Sequence, residues 1–511
     1  MNQTPSRQRR PNIIVILTDD QGPWALGCAG NREIRTPNLD RLAASGVRFS
    51  SFFCASPVCS PARASLLTGR IPSAHGVHDW LRDGNGGKQR PIEYLAGLDA
   101  YTDLLARAGY RCGLSGKWHL GDSPRPQKSF THWYVHQTGG GPYYNAPMIR
   151  DGQLIQQPGY VTDAITDEAL AYLDACAPAP GAPATDGAPF YLSVHYTAPH
   201  SPWVDNHPPE IVASYDDCPF DSCPDEPPHP WAIRTAPSAD GARAREQRQG
   251  YFAAVTAMDG NVGRILDRLD SLGLRQDTLI FFLSDNGFNL GHHGIWGKGN
   301  GTFPQNMYDN SVKVPCIISH PGAISAGAVS DALLSQYDWF PTILDLAGVP
   351  HPATDSLPGR SFAPLLHTLG STGAEGNFSS NPPGQAPSAA AAGRQYVVAG
   401  HVYDEYGPVR MVRTTEWKYV HRYAYGPHEL YHLREDPDER ANLVDDPTRA
   451  AVRRELKGEL DDWFTRYADP LRDGTREAVY GKGQIDLAGP AGRGAKAYAD
   501  DVTPVESGIP K

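Results

Sequence analysis

Apolar and polar positions along this chain follow two rhythms. Residues 12–18, N-I-I-V-I-L-T, form an unbroken apolar run rich in β-branched side chains. Such a run is the mark of a strand buried on both faces of a parallel sheet. Similar runs at 110–114, 190–196, 279–284 and 314–319 predict further strands. Between them the spacing turns helical: over 251–272, Val255, Met258, Val262, Ile265, Leu266 and Leu269 fall on one face. Pro37 at the start and Gly46 past the end delimit a short helix at 37–45, and Gly109 closes another at 102–108. Strands alternating with helices predict an α/β fold with a mostly parallel central sheet flanked by helices.

The rhythm changes towards the C-terminus. Residues 396–400, 409–414, 417–422 and 429–433 alternate in the manner of a small antiparallel sheet, and 450–467 then has helical periodicity. The Ala/Pro/Gly-rich stretch 177–189 reads as a surface insertion, and the Gly/Ser/Pro/Ala-rich stretch 370–393 as a linker or insertion between domains. The organisation expected is a large α/β domain at 1–369, that linker, a small α+β subdomain at 394–472, and an extended tail at 473–511. The tail has too few apolar residues to bury a core, so it should drape over its own subunit or reach a neighbour in a homo-oligomer. There is no internal repeat.

Composition narrows the function classes. With 511 residues, 40% hydrophobic and 20% charged, the chain is globular rather than disordered. A formal net charge of −11 argues against nucleic acid and against a basic membrane-binding face, while leaving anionic small substrates open. Eight cysteines form no dense disulfide framework. Cys218 and Cys223 have a metal-like spacing that no second Cys/His pair completes. No apolar stretch approaches membrane-spanning length. The first ten residues are polar and basic, and the run at 13–17 is too short for a signal sequence, so a cytoplasmic location is expected.

Candidate chemistry concentrates at strand ends. Pro61 falls just inside a helix start, which puts Cys59 at or beside the helix N-terminus with Arg63 one turn on. Free N–H groups and the dipole there attract anions, so Cys59 is a candidate nucleophile facing a negatively charged substrate. Asp19 and Asp20 directly follow the run 12–18, and Asp285 and Asn286 directly follow 279–284. Ligand sites of open α/β sheets lie beyond the carboxyl ends of the strands, where these four oxygen donors can converge on a hard cation such as Ca²⁺ or Mg²⁺. Lys117 and His119 follow the strand ending near Leu114, and His200 follows 190–196. A lone Lys-x-His carries little by itself.

Together these segments resemble the type I, formylglycine-dependent sulfatases of the alkaline phosphatase superfamily. The resemblance rests on C-S-P-A-R at 59–63 with T-G-R at 68–70, G-K-W-H-L-G at 116–121, A-P-H at 198–200, the Asp-Asp and Asp-Asn pairs, and Lys298 a dozen residues past Asn286. In the small domain, V-R-T at 412–414, W-K-Y at 417–419, E-L-Y at 429–431, Asp436-Pro437 and Asn442-Leu443 extend it, so it covers roughly residues 11–445. It implies that a maturation enzyme oxidises Cys59 to formylglycine (3-oxoalanine). It also implies that Asp19, Asp20, position 59, Asp285 and Asn286 hold a divalent metal, with a ligand number suiting Ca²⁺ better than octahedral Mg²⁺. Arg63, Lys117 and Lys298 would hold the sulfuryl oxygens. One hydroxyl of the aldehyde hydrate would attack sulfur, with Asp285 a candidate to assist its deprotonation. His200 or Lys298 would protonate the leaving alcohol, and His119 would take the proton whose loss expels sulfate.

The runner-up is a phosphonate monoester or phosphodiester hydrolase of the same superfamily. Asn286, Lys117 and His119 favour the sulfatase. His292, His293 and Trp296 lie between the metal pair and Lys298, and with Trp80 and Tyr403 they are candidates for the pocket mouth. Aromatic and histidine groups suit a sugar, so a carbohydrate sulfate, as a small molecule or an oligosaccharide sulfate ester, is the expected substrate. An aryl or alkyl sulfate is the alternative.

Overall fold

The run 12–18 becomes the innermost strand. The computed structural model describes residues 10–82, 91–177, 187–233, 241–350, 356–369 and 400–499. In chain order its first strands are β1 (Asn12–Thr18), β2 (Val47–Phe53), β3 (Arg111–Gly116), β4 (His132–His136), β5 (Tyr144–Arg150), β6 (Gln153–Tyr160), β7 (Phe190–His195) and β8 (Thr278–Ser284). A short ribbon of β9 (Asn289–Leu290) and β10 (Trp296–Gly297) follows, then β11 (Lys313–Ser319), β12 (Ala328–Ser330) and β13 (Leu334–Ser335). The last four are β14 (Val402–Tyr406), β15 (Val409–Arg413), β16 (Trp417–Arg422) and β17 (Glu429–His432).

Eleven strands form one sheet in the order β12-β2-β11-β8-β1-β7-β3-β4-β5-β6, with β13 also on β2. The centre, β8-β1-β7-β3-β4, is parallel, and the antiparallel pairings lie at β11 and at β5 and β6. All seven residues of β1 and all seven of β8 are buried, as their continuous apolar character requires. β6 is mostly exposed and polar, so apolar periodicity could not reveal it. Helices cover both faces. The longest, Gly241–Ser271, begins earlier than the apolar spacing predicts, because its first turns present Ala244 and Gln247, rather than large apolar groups, to the interior.

The small sheet runs β14-β15-β16-β17, antiparallel throughout. Its first strand is Val402–Tyr406, whereas the expected strand at 396–400 falls almost entirely outside the described residues. The segment 370–393 and most of 177–189 also lie outside them. One face of the small sheet joins the main core through Val402, Tyr406, Val409, Met411 and Val420; the other packs under the helix Ala450–Tyr467 through Val412, Tyr419 and Leu430. The described part of the tail follows its own subunit, with Val479 in the main core and Gln484 fully buried.

Candidate active site and metal centre

Register decides which loops meet. β1 lies between β7 and β8, both parallel to it, pairing Leu17 with His195 and Thr18 with Ser284. β3 adjoins β7, pairing Gly116 with His195. Asp19-Asp20, Asp285-Asn286, Lys117-His119 and His200 therefore leave neighbouring strands at the same carboxyl edge. The helix Cys59–Thr68 brings Cys59 to that edge in its first turn, with Val58 extended as N-cap. Every residue of the helix is buried, and Gly69 ends it at φ 65°, where a Cβ would come within 2.8 Å of Phe340 Cβ.

The side chains interlock around position 59. The Cys59 thiol donates to Asp19 Oδ1 at 3.3 Å, and Lys298 Nζ donates to Cys59 Sγ at 2.7 Å. Lys298 also pairs with Asp20, and Lys117 Nζ pairs with Asp19 Oδ2 at 2.5 Å. Arg63 Nε meets Asp285 Oδ2 at 2.9 Å, and His200 Nε2 lies 3.7 Å from Asp20 Oδ2. Asn286 Nδ2 donates to Asp20 Oδ1 at 2.8 Å. Apart from half-buried His200, these groups are almost wholly buried, so three carboxylates and three cations offset one another in a medium of low polarity. Asp20 and His119 hold left-handed backbone at φ 65° and 55°, conformations that non-glycine residues adopt rarely.

Burial and neighbouring charge set the protonation states. Burial raises Asp19, and Lys117 only partly opposes it. Burial works against the Asp20 charge too, yet Lys298 and His200 hold that carboxyl below its usual range. For Asp285 burial is outweighed by Arg63, Lys117 and Lys298, which hold it far down. Both Asp285 oxygens are already engaged, by Arg63 on one side and the Asp20 and Asn286 N–H groups on the other. A carboxylate so stabilised is a poor proton acceptor, which counts against Asp285 as a base. The carboxylate touching position 59 is Asp19. Burial opposes the charge of Lys298, but Asp20 and Cys59 raise it well above the usual lysine range. Burial, reinforced by Lys117, keeps His119 neutral.

The donor set fits a hard divalent cation. Carboxylate oxygens of Asp19, Asp20 and Asp285 lie within 4.8 Å of one another, as do donor atoms of Asp19, Cys59 and His200. Asn286 Oδ1 is buried without a hydrogen-bond partner, a vacancy that a cation would satisfy.

The pocket-mouth candidates fare differently. Trp296 is buried beneath the Arg248 guanidinium, 5.4 Å from its ring centre, and Tyr403 stacks on Trp463 at 4.4 Å within the small sheet's packing. His292 packs on Trp24 at 5.1 Å and His293 stacks on Tyr308 at 3.9 Å. These four rings therefore have packing partners of their own. Trp80 stays half-buried, its Nε1 donating to Gly481 O. Sequence reasoning missed Gly139 and Gly140, whose backbones press against the His119 and His200 rings. The run of three glycines after β4 was the available signal. It also missed Gln336, whose Nε2 donates to the Asp285 carbonyl at 2.7 Å.

Comparison with known proteins finds related chains. N-acetylglucosamine-6-O-sulfatase of Bacteroides thetaiotaomicron is 29% identical over 95% of this chain and 92% of its own. N-acetylgalactosamine-6-sulfatase of Canis lupus familiaris is 32% identical over 70% of this chain and 66% of its own. A solved structure of a protein in complex with its substrate D-glucosamine-2-N,6-O-disulfate superposes with a TM-score of 0.72 at 27% identity, covering 91% of this chain and 100% of that one. The sequence profile of the sulfatases matches residues 11–349. On this match and the buried constellation around Cys59, the chain belongs to the sulfatase family.

Proposed function

We propose that this sulfatase hydrolyses a 6-O-sulfate ester on an amino sugar, through a formylglycine at position 59 and a calcium ion. The observation that carries the reaction is the contact of position 59 with both Asp19 and Lys298 inside the carboxylate cluster. The substrate class rests on the two amino-sugar 6-sulfatases and on the neighbour with a bound glucosamine disulfate.

Asp19, Asp20, Asp285 and Asn286 would hold the cation, which would polarise the sulfuryl oxygens. Conversion of Cys59 by a maturation enzyme would supply a geminal diol, one hydroxyl to bond sulfur and a second to lose its proton as sulfate departs. Arg63, Lys117 and Lys298 offset the charge that grows on the sulfuryl oxygens. Lys298 or His200 protonates the departing sugar oxygen. His119, neutral and with Nδ1 unpartnered, accepts the later proton.

The test is sulfate release from 6-O-, 4-O- and N-sulfated hexosamines beside choline sulfate and an aryl phosphonate. The 6-O-sulfated amino sugar should give the highest kcat/KM; a preference for the phosphonate would overturn the reading. Chelation should abolish turnover. Calorimetry on the stripped protein should then show Ca²⁺ binding more tightly than Mg²⁺, and recovery with Zn²⁺ alone would contradict the calcium assignment.

A further inference from the structure

The described tail grips the strand-like segment that holds His119. His119 Nε2 lies 3.0 Å from the Leu81 carbonyl, which can only accept, so Nε2 carries the proton and Nδ1 is bare. The Leu81 N–H donates to Ser60 Oγ at 3.1 Å, and Ser60 Oγ donates to the His119 carbonyl at 2.9 Å. Leu81, Ser60 and His119 thus form a closed clasp beside Cys59.

What holds Leu81 in place comes from about 400 residues further along the chain. Gln484 N donates to the Trp80 carbonyl at 2.8 Å, and Arg82 N donates to the Gln484 carbonyl at 2.9 Å. The Gln484 side chain reaches behind the same segment: Oε1 accepts from His78 N at 2.9 Å and Nε2 donates to the Gly76 carbonyl at 3.1 Å. Gly483 N donates to Asp79 Oδ2 at 3.0 Å. Gln484 and Leu81 are almost wholly buried, so water cannot replace these bonds.

We propose that Gln484 is a positioning residue for His119: by clamping residues 76–82 it aims the Leu81 carbonyl at Nε2 and leaves Nδ1 as the proton acceptor. The inference rests on the reading of His119 as the group that takes the proton when sulfate departs. Without the clamp His119 can rotate or change tautomer, and the second half-reaction slows while the first proceeds. Gln484→Ala keeps the two main-chain bonds to Trp80 and Arg82 but removes the side-chain bonds to His78 N and the Gly76 carbonyl, and it should release one equivalent of leaving group per active site in a burst from an aryl sulfate, followed by a steady rate lowered about a hundredfold.

Three comparisons make the test decisive. His119→Ala should show the same burst; its absence would sink the role given to His119 and leave the clamp to be judged by spectroscopy alone. Nitrogen-15 spectra of histidine-labelled protein, with His119 assigned from that variant, should show an Nε2-protonated ring in the parent and a tautomer mixture in Gln484→Ala. An unchanged signal would overturn the clamp whatever the kinetics. Gln305→Ala removes a different tail tether, the bond from Nε2 to the Val479 carbonyl, and should lower stability with no burst. A burst there would mean that any loosening of the tail has this effect, and would refute the specific role of Gln484. Should Gln484→Ala fail to fold, Asp79→Asn weakens the same clamp and takes its place.

Discussion

Cys59 as an unmodified thiol is badly placed to react. Burial, reinforced by Asp19, pushes it up to about 12, so little thiolate forms at neutral pH despite the adjacent Lys298. The formylglycine hydrate proposed there would instead carry two hydroxyls on one carbon. Cys59→Ser separates the two functions of that carbon: the single hydroxyl can still attack sulfur, but no second proton is available to expel sulfate. The variant should release at most one leaving group per site and then stall with sulfate covalently attached, visible as a mass increase on the peptide around position 59. Sustained turnover at the parent rate would rule out the diol chemistry. Arg63 illustrates the cost of disturbing such a site, since its removal would take from buried Asp285 Oδ2 its ion-pair partner, a loss of up to about 3–5 kcal/mol that Lys117, Lys298 and the N–H bonds to Oδ1 would partly offset.

The loop between β4 and β5 sets how closely two elements approach. A Cβ at Gly139 would sit 2.1 Å from His119 Cε1, and one at Gly140 would sit 3.1 Å from His200 Nδ1. At Gly141 the nearest atom, His136 Nε2, is 3.3 Å away. None of the three has a left-handed φ, so close approach rather than backbone freedom demands glycine here. Gly139→Ala must displace the His119 ring and should lower kcat about a hundredfold, whereas Gly141→Ala needs only a small adjustment of His136. Steady-state kinetics on both variants checks the ordering, and equal losses would show that the loop tolerates or rejects any side chain alike.

Across the whole molecule, several histidines are buried in the neutral form. Burial lowers His78 and His136 to about 4, and His195 and His207 to about 3. In the unfolded chain these rings titrate near 6.5, so it binds protons first as pH falls. Their contribution is complete above that pH and is lost towards pH 3–4, with a slope of at most roughly 5 kcal/mol per pH unit if all four act. The melting temperature should fall steeply between pH 7 and pH 5, and a flat profile would contradict this account. Among the described residues no helix is long and apolar enough to cross a membrane.

The candidate site residues were legible because each follows a locally encoded element. Asp19-Asp20 and Asp285-Asn286 come directly after β1 and β8, which are buried on both faces and therefore apolar throughout. Cys59, Arg63, Lys117, His119, His200 and Lys298 stand in short motifs whose spacing needs no distant contact. β6 escaped because an exposed edge strand has no apolar alternation to read. Only the tertiary structure could decide the rest. That Asp285 is held as a strongly stabilised carboxylate depends on Arg63 and Lys117 arriving from other elements. That Tyr403 belongs to the small sheet's packing depends on Trp463, and the clasp on His119 depends on Gln484 meeting Leu81 across the fold. Strand and helix periodicities record what each segment buries. Which segments meet at a buried charge is set by sheet register and packing, and no local pattern encodes that.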